Sequence, residues 1–337
     1  MTGPRVEGAG DAGTRRRRGR EGGERPMVPR ATFTSYYGRP VLKEAPWAAD
    51  IPAYFFLGGL AGACSMLAAG ADLTGRTSLR RTTRLGAAAA VACGFGALVH
   101  DLGRPGRFIN MLRVVKPTSP MSVGTWILSA YAPLAGVAAV AELAPLLPRG
   151  VTWVGGVTRA LSRPAGLAAA GLGAGVATYT AVLVANTATP AWHEARRELP
   201  FVFAASAATA AGGLGMIGSS AADAAPARRL AAGGALVELL VERRMEQSMG
   251  LAAETLRAGR PATLLRAARA LTVGGALGGL LLGRRSRVAG AASGAALMGG
   301  SLCMRFGIFE AGQASARDPR YTIVPQRQRL DERRASG

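Results

Sequence analysis

The chain has 337 residues, 49% hydrophobic, 18% charged and 6% aromatic, with 41 Lys and Arg against 20 Asp and Glu and a net charge of +21. So low a charged share, against about 25% in soluble proteins, argues against an ordinary water-soluble fold. The basic excess does not describe a nucleic-acid surface either, because it falls in clusters between apolar stretches of membrane-spanning length and aromatics are too few for base stacking.

Residues 1–34 are a Gly/Arg/Glu mixture with almost nothing to bury, and they read as a disordered basic tail. No apolar segment follows the arginines closely enough for a secretory signal. Between 35 and 310, eight stretches reach or approach the roughly 20 apolar residues of a spanning helix: 51–72, 82–101, 122–146, 165–187, 199–219, 227–246, 267–283 and 287–306. The fold expected is an all-α membrane protein of about eight transmembrane helices in two four-helix bundles, followed by a polar C-terminal tail over 311–337. The sixth span is the weakest, since only thirteen residues separate Arg229 from Arg243 and Glu238 stands among them.

Small residues four apart recur in the spans, at Gly58/Gly62, Gly171/Gly175, Gly274/Gly278, Gly275/Gly279 and Gly290/Gly294, as helices in close contact within lipid require. Trp47, Trp126 and Trp192 fall near span ends, where interfacial anchors sit. Cys64, Cys93 and Cys303 lie inside apolar stretches without C-x-x-C spacing, which speaks against disulfides, zinc or an iron–sulfur cluster in this chain. With eight spans, 29 of the 41 basic residues fall on the side of the two termini and 12 on the other. The positive-inside rule then places both termini in the cytoplasm.

Polar residues concentrate in four strings that this topology brings to one membrane face. They are Ser35-Tyr36-Tyr37-Gly38-Arg39-Pro40, His100-Asp101-Leu102-Gly103-Arg104-Pro105, Lys116-Pro117-Thr118-Ser119-Pro120-Met121-Ser122, and the run from Ala191 to Pro200 containing Trp192 and His193. The first three, taken with Ile51-Pro52-Ala53-Tyr54-Phe55-Phe56-Leu57-Gly58-Gly59-Leu60-Ala61-Gly62 and with Arg107-Phe108, resemble the NrfD/PsrC family over about residues 35–310. The resemblance implies an eight-helix subunit of polysulfide-reductase-like or nitrite-reductase-like complexes in the plasma membrane, with no haem or iron–sulfur centre of its own. It implies electron exchange between menaquinone or menaquinol and a four-cluster ferredoxin-like iron–sulfur subunit, which connects to a molybdopterin catalytic subunit. It further implies that Tyr54 and the tyrosine of the fourth span, Tyr179, approach the quinone head group.

The residues themselves fit that chemistry. Quinone reduction needs an apolar slot and proton-donating groups at two carbonyl oxygens. Asp50 and Tyr54 are four apart and share a helix face. His100 and Asp101 adjoin at the end of the second span, where imidazole and carboxylate suit a proton relay. Arg39, Arg104, Arg107, Trp192 and His193 are candidates for docking the partner subunit. Glu238, an acid within a span, is a candidate for a transmembrane proton path, with Glu142 a second buried acid. A di-haem cytochrome b anchor requires paired histidines in the spans, and the chain has two His in all. A secondary transporter and a passive anchor remain as rival readings; the first requires inverted repeats and midplane helix breaks, whereas the echo between Ile51-Pro52 and Leu199-Pro200 is parallel.

Overall fold

The computed structural model describes residues 40–103, 106–146 and 152–336. The expected disordered tail and Arg39 lie outside the described residues, as does Arg104; for Arg107 only the backbone is described. Twelve α-helices are described. Eight are long: α1 (Asp50–Leu73), α2 (Thr77–Asp101), α4 (Pro120–Leu143), α5 (Thr152–Ala185), α7 (Leu199–Gly218), α8 (Ala225–Ser248), α10 (Gly259–Leu281) and α11 (Arg287–Arg317). Three are single turns, α3 (Arg107–Met111), α6 (Pro190–Glu194) and α9 (Glu254–Arg257), and α12 (Arg320–Ser336) is the polar C-terminal helix.

The chain is an all-α membrane protein, and no strand occurs among the described residues. The long helices run alternately up and down, α1, α2, α4 and α5 packing as one bundle and α7, α8, α10 and α11 as another. The bundles meet where α7 packs on α1, α2 and α5 and where α11 packs on α1. Seven of the described helices are long and apolar enough to cross a membrane by length and composition. The sixth expected span, α8, is the exception: its 24 residues make it as long as the others, about 36 Å, but it is too charged. Its polarity is turned inward. Glu238 and Glu242 are buried while Leu236, Val237 and Leu240 are exposed, so α8 is amphipathic in the opposite sense to a helix on a soluble protein.

Glycine lets the first and last helix of each bundle touch. A Cβ on Gly62 of α1 would lie 2.3 Å from the carbonyl of Gly173 on α5, and one on Gly294 of α11 would lie 2.4 Å from the carbonyl of Gly213 on α7. These two contacts join the first and last helix of each bundle as neighbours. Gly171 and Gly274, which the four-residue spacing also picks out, face open space. At the far end of the first bundle, Asp72, Arg80, Arg84 and Glu142 form a clasp across α1, α2 and α4, with Arg80 2.7 Å and Arg84 2.9 Å from Glu142. The acid expected near the far end of the third span is therefore ion-paired. The tail boundary expected at 310 falls inside α11, whose last turns bury Ala311, Gly312, Gln313, Ser315 and Ala316.

Candidate functional site

An apolar cavity of about 340 Å³ opens in the first bundle near the face where α1 and α4 begin and α2 and α5 end. Ile51, Tyr54 and Phe55 of α1, Leu98 and Asp101 of α2, Thr125 and Leu128 of α4, and Tyr179 and Leu183 of α5 are among its walls, with Trp47 at its edge. Two glycines seat the tyrosines. A Cβ on Gly124 would stand 2.3 Å from the Tyr179 ring, and one on Gly94 would touch the Tyr54 ring at 3.4 Å. The rings meet edge to face, their centroids 6.4 Å apart.

The hydroxyls of the three tyrosines in this bundle divide sharply. Tyr131, fully buried on α4, donates to the Ala61 carbonyl at 2.7 Å and pairs with Ser65 at 2.8 Å. Tyr54 is 5% exposed and lines the cavity with Tyr179, yet neither hydroxyl has a hydrogen-bond partner among the described residues. A buried tyrosine hydroxyl ordinarily finds a partner. Here both hydroxyls are open to the cavity, so their partner is water or whatever else enters it.

Of the sequence candidates, Tyr54, Tyr179 and Asp101 share the cavity wall. Asp50 does not: its carboxylate turns to His100, 2.9 Å from Nδ1, in an exposed pair at the end of α1 and α2. The expected docking role of Trp192 is corrected. It is 1% exposed, its indole donates to the Ile308 carbonyl at 2.9 Å, and its ring stacks on Trp47 at 5.8 Å. Only glycine at 312 leaves room, since a Cβ there would stand 1.9 Å from the indole. Trp192 therefore holds Trp47, and through it the cavity edge, in place. His193, the next residue, is exposed on the same face.

The string Lys116–Ser122 also has a local task. Ser119 caps α4 with Pro120 in its first turn, and the Ser122 hydroxyl accepts from Lys116 N at 3.0 Å and donates to the Val114 carbonyl at 3.1 Å. This ties the loop to α4 and sets Met121 and Thr125 on the cavity. Thr125 carries no motif; only its place one turn into α4 marks it.

The second bundle holds buried charge at the corresponding depth. Arg305 of α11 is fully buried, donates from Nη2 to the Phe203 carbonyl at 2.7 Å, and lies 3.7 Å over the Phe203 ring. Phe203 in turn meets Phe55, a wall of the cavity, at 6.1 Å. Glu238 of α8 is 2% exposed and stands beside Arg305, Ser206 and Thr209. Its Oε2 and the Nε and Nη1 of Arg305 have no partner. Arg269 bridges Glu242, at 3.0 Å, to Glu246. Sequence reasoning singles out Glu238 but not Arg305, whose signal is an arginine within the apolar run of the last span.

Comparison with protein families settles the affiliation. The family described as "Polysulphide reductase, NrfD" matches residues 41–243. The chain belongs to the NrfD family. No curated protein matches it closely enough to compare. As an NrfD-family chain it is a multi-pass membrane subunit of the polysulfide- and nitrite-reductase type of complex, a family whose members generally partner with iron–sulfur and molybdopterin subunits. The match spans all of the first bundle and reaches α8, so it includes the cavity and Glu238 but not Arg305.

Proposed function

We propose that the chain is the quinone-reactive membrane subunit of a molybdopterin-type oxidoreductase, holding menaquinone or menaquinol in the first-bundle cavity and exchanging electrons with an iron–sulfur subunit docked over it. One observation carries this reading: a buried tyrosine, Tyr54, and a half-buried one, Tyr179, share an apolar cavity beside a carboxylate, and neither hydroxyl has a partner among the described residues. At about 340 Å³ the cavity is at the small end of the roughly 300–1,000 Å³ of ligand sites. A bound quinone supplies the redox chemistry, the exchange of two electrons and two protons. The protein binds and orients the ring between Ile51, Phe55, Leu128 and Leu183, and Tyr54 and Tyr179 donate hydrogen bonds to it. Asp101 places a carboxylate in the wall as a relay for protons, and the exposed Asp50–His100 pair exchanges protons with water.

The partner-docking surface is the face that carries His193, and the positive-inside count assigns that face and both termini to the cytoplasmic side of the plasma membrane. A reporter fused after residue 337 tests the orientation, and an external signal overturns it. Glu238 has a place in the same scheme. Glu238, Glu242 and Glu246 recur every four residues on α8, a ladder from the buried Arg305 to Arg257 near the working face. Glu238→Gln should leave quinone turnover in place and remove proton uptake by vesicles; intact uptake overturns the path.

The decisive experiment is menaquinol-analogue titration of the purified complex with Tyr54→Phe and Tyr179→Phe. Each loses one hydrogen bond of about 0.5–1.5 kcal/mol, so KM should rise roughly threefold to tenfold with the complex intact. Unchanged kinetics in both variants leave a passive anchor.

A further inference from the structure

A second pocket opens on the opposite membrane face, in the second bundle, between the start of α8 and the end of α10. It has a volume of about 440 Å³ and is lined by Ala221, Ala222, Ala225, Arg228, Arg229, Leu280 and Arg284. Three of its walls are arginines and none is an acid. Arg228 is only 9% exposed, and the charged groups near enough to act on it are Arg284 and Arg229, both of the same sign. Among the described residues none of these three arginines has an ion pair or a side-chain hydrogen bond. Asp223, close by in the chain, is engaged elsewhere: its carboxylate accepts from Ser78 N at 2.9 Å.

The guanidinium of Arg228 opens into the pocket, and gathering three like charges there costs free energy that no acid of the chain offsets. Elsewhere the same protein pairs another buried arginine, Arg84, with Asp72 and Glu142. The missing counter-charge is therefore an anion from outside. The N-terminal turn of α8, with Ala225 in the pocket wall, adds partial positive charge of the right sign.

The remaining wall identifies the kind of anion. Leu280 lines the pocket, and with Leu277 and Leu281 it makes an exposed apolar strip on the last turns of α10, these three being 47%, 53% and 68% exposed. A charged pocket that opens onto an apolar strip at the end of a spanning helix matches a molecule with an anionic head and hydrocarbon tails. We infer that this pocket is a binding site for the phosphate headgroup of an anionic glycerophospholipid, held by Arg228, Arg229 and Arg284, with acyl chains along Leu277, Leu280 and Leu281. A lipid with two phosphates satisfies more of the three charges than one with a single phosphate. The bound lipid supplies the counter-charge for the start of α8, the long helix least able to hold its place by hydropathy alone.

The test uses the full chain in its native complex, purified in mild detergent, stripped of loosely held lipid and supplied with cardiolipin, phosphatidylglycerol, phosphatidylcholine or inorganic phosphate. Lipid retained is read by mass spectrometry and the thermal midpoint is followed in parallel. Cardiolipin and phosphatidylglycerol should be retained and raise the midpoint, whereas phosphatidylcholine and phosphate should do neither. At about 1 kcal/mol per arginine, Arg284→Gln and Arg229→Gln, both at exposed positions, should each weaken retention roughly fivefold. Arg285→Gln, next in sequence but outside the pocket, should leave it unchanged. Equal retention of phosphatidylcholine, the same midpoint shift from phosphate alone, or an equal loss with Arg285→Gln overturns the site.

Discussion

The two bundles share a plan and differ in what fills it. Each opens with a helix that begins in an apolar-Pro pair, Ile51-Pro52 and Leu199-Pro200, and each is crossed by one glycine contact, Gly62 with Gly173 and Gly213 with Gly294. Counted from those glycines, Leu183 stands ten residues beyond Gly173 and Arg305 eleven beyond Gly294. At that level the first bundle has a cavity wall and the second a buried guanidinium, with the tilted rings of Phe55 and Phe203 between them. One half keeps an apolar space for a ligand. The other closes the equivalent space with charge. The parallel repeat thus lets one scaffold bind a neutral ring in one half while the other half holds ionisable groups close to it, separated by two aromatic side chains.

The largest effect should come from unbalancing the charged half. Arg305→Met removes the cation that stands beside the buried Glu238, without a direct ion pair between them, together with the hydrogen bond to the Phe203 carbonyl. The complex should lose thermal stability, by at most about 3–5 kcal/mol, the cost of a broken buried pair. Adding Glu238→Gln should recover much of that loss, and a melting curve of single and double variants reads the coupling. If the double variant is no better than Arg305→Met alone, the two groups are not coupled and the contrast between the bundles fails.

Filling the open half is the converse. Leu183→Trp occupies the cavity at an overpacking cost of about 1–3 kcal/mol, and quinone turnover should fall by roughly two orders of magnitude as the reacting ring is displaced. Retained turnover would move the site elsewhere. A finer change, Gly124→Ala, sets a methyl 2.3 Å from the Tyr179 ring. The ring must rotate away, and KM for menaquinol should rise about tenfold with kcat less affected; an unchanged KM would remove Tyr179 from the site. Smallest is Tyr131→Phe, which strips a structural hydrogen bond from Ser65 and Ala61 and should cost about 1 kcal/mol of stability with no change in quinone kinetics. A kinetic effect there would erase the distinction between the satisfied tyrosine and the two free ones.

How far the site was legible depends on what each residue type can report. Tyr54 and Tyr179 are far apart in the chain, and only the family resemblance links them. The contact itself rests on Gly124 and Gly94, whose importance no spacing rule conveys because it comes from the helix each one faces. The same limit explains Gly171, which repeats the small-residue spacing and touches nothing, while Gly173 carries the crossing. Trp192 shows the opposite error. A tryptophan near a span end has the position of an interfacial anchor, yet the short helix α6 folds it inward against Trp47, Phe309 and Ile308. Its environment depends on a loop path, and loop paths are not periodic.

The sequence by itself determined the all-α membrane class, the run of long apolar helices, and the family. These are properties of composition, periodicity and local strings, and the cost of unsatisfied backbone in lipid leaves few other solutions. It also marked α8 as the doubtful span, from its charge. Only the tertiary structure decided that the charge of α8 faces inward on Arg305 and Arg269, that Asp50 pairs with His100 at the surface and not inside the cavity, and that two of the three first-bundle tyrosines lack partners. Each of these depends on which faces of helices distant in sequence are pressed together. That choice is made by packing of small residues and by the pairing of buried charge, neither of which has a period along the chain.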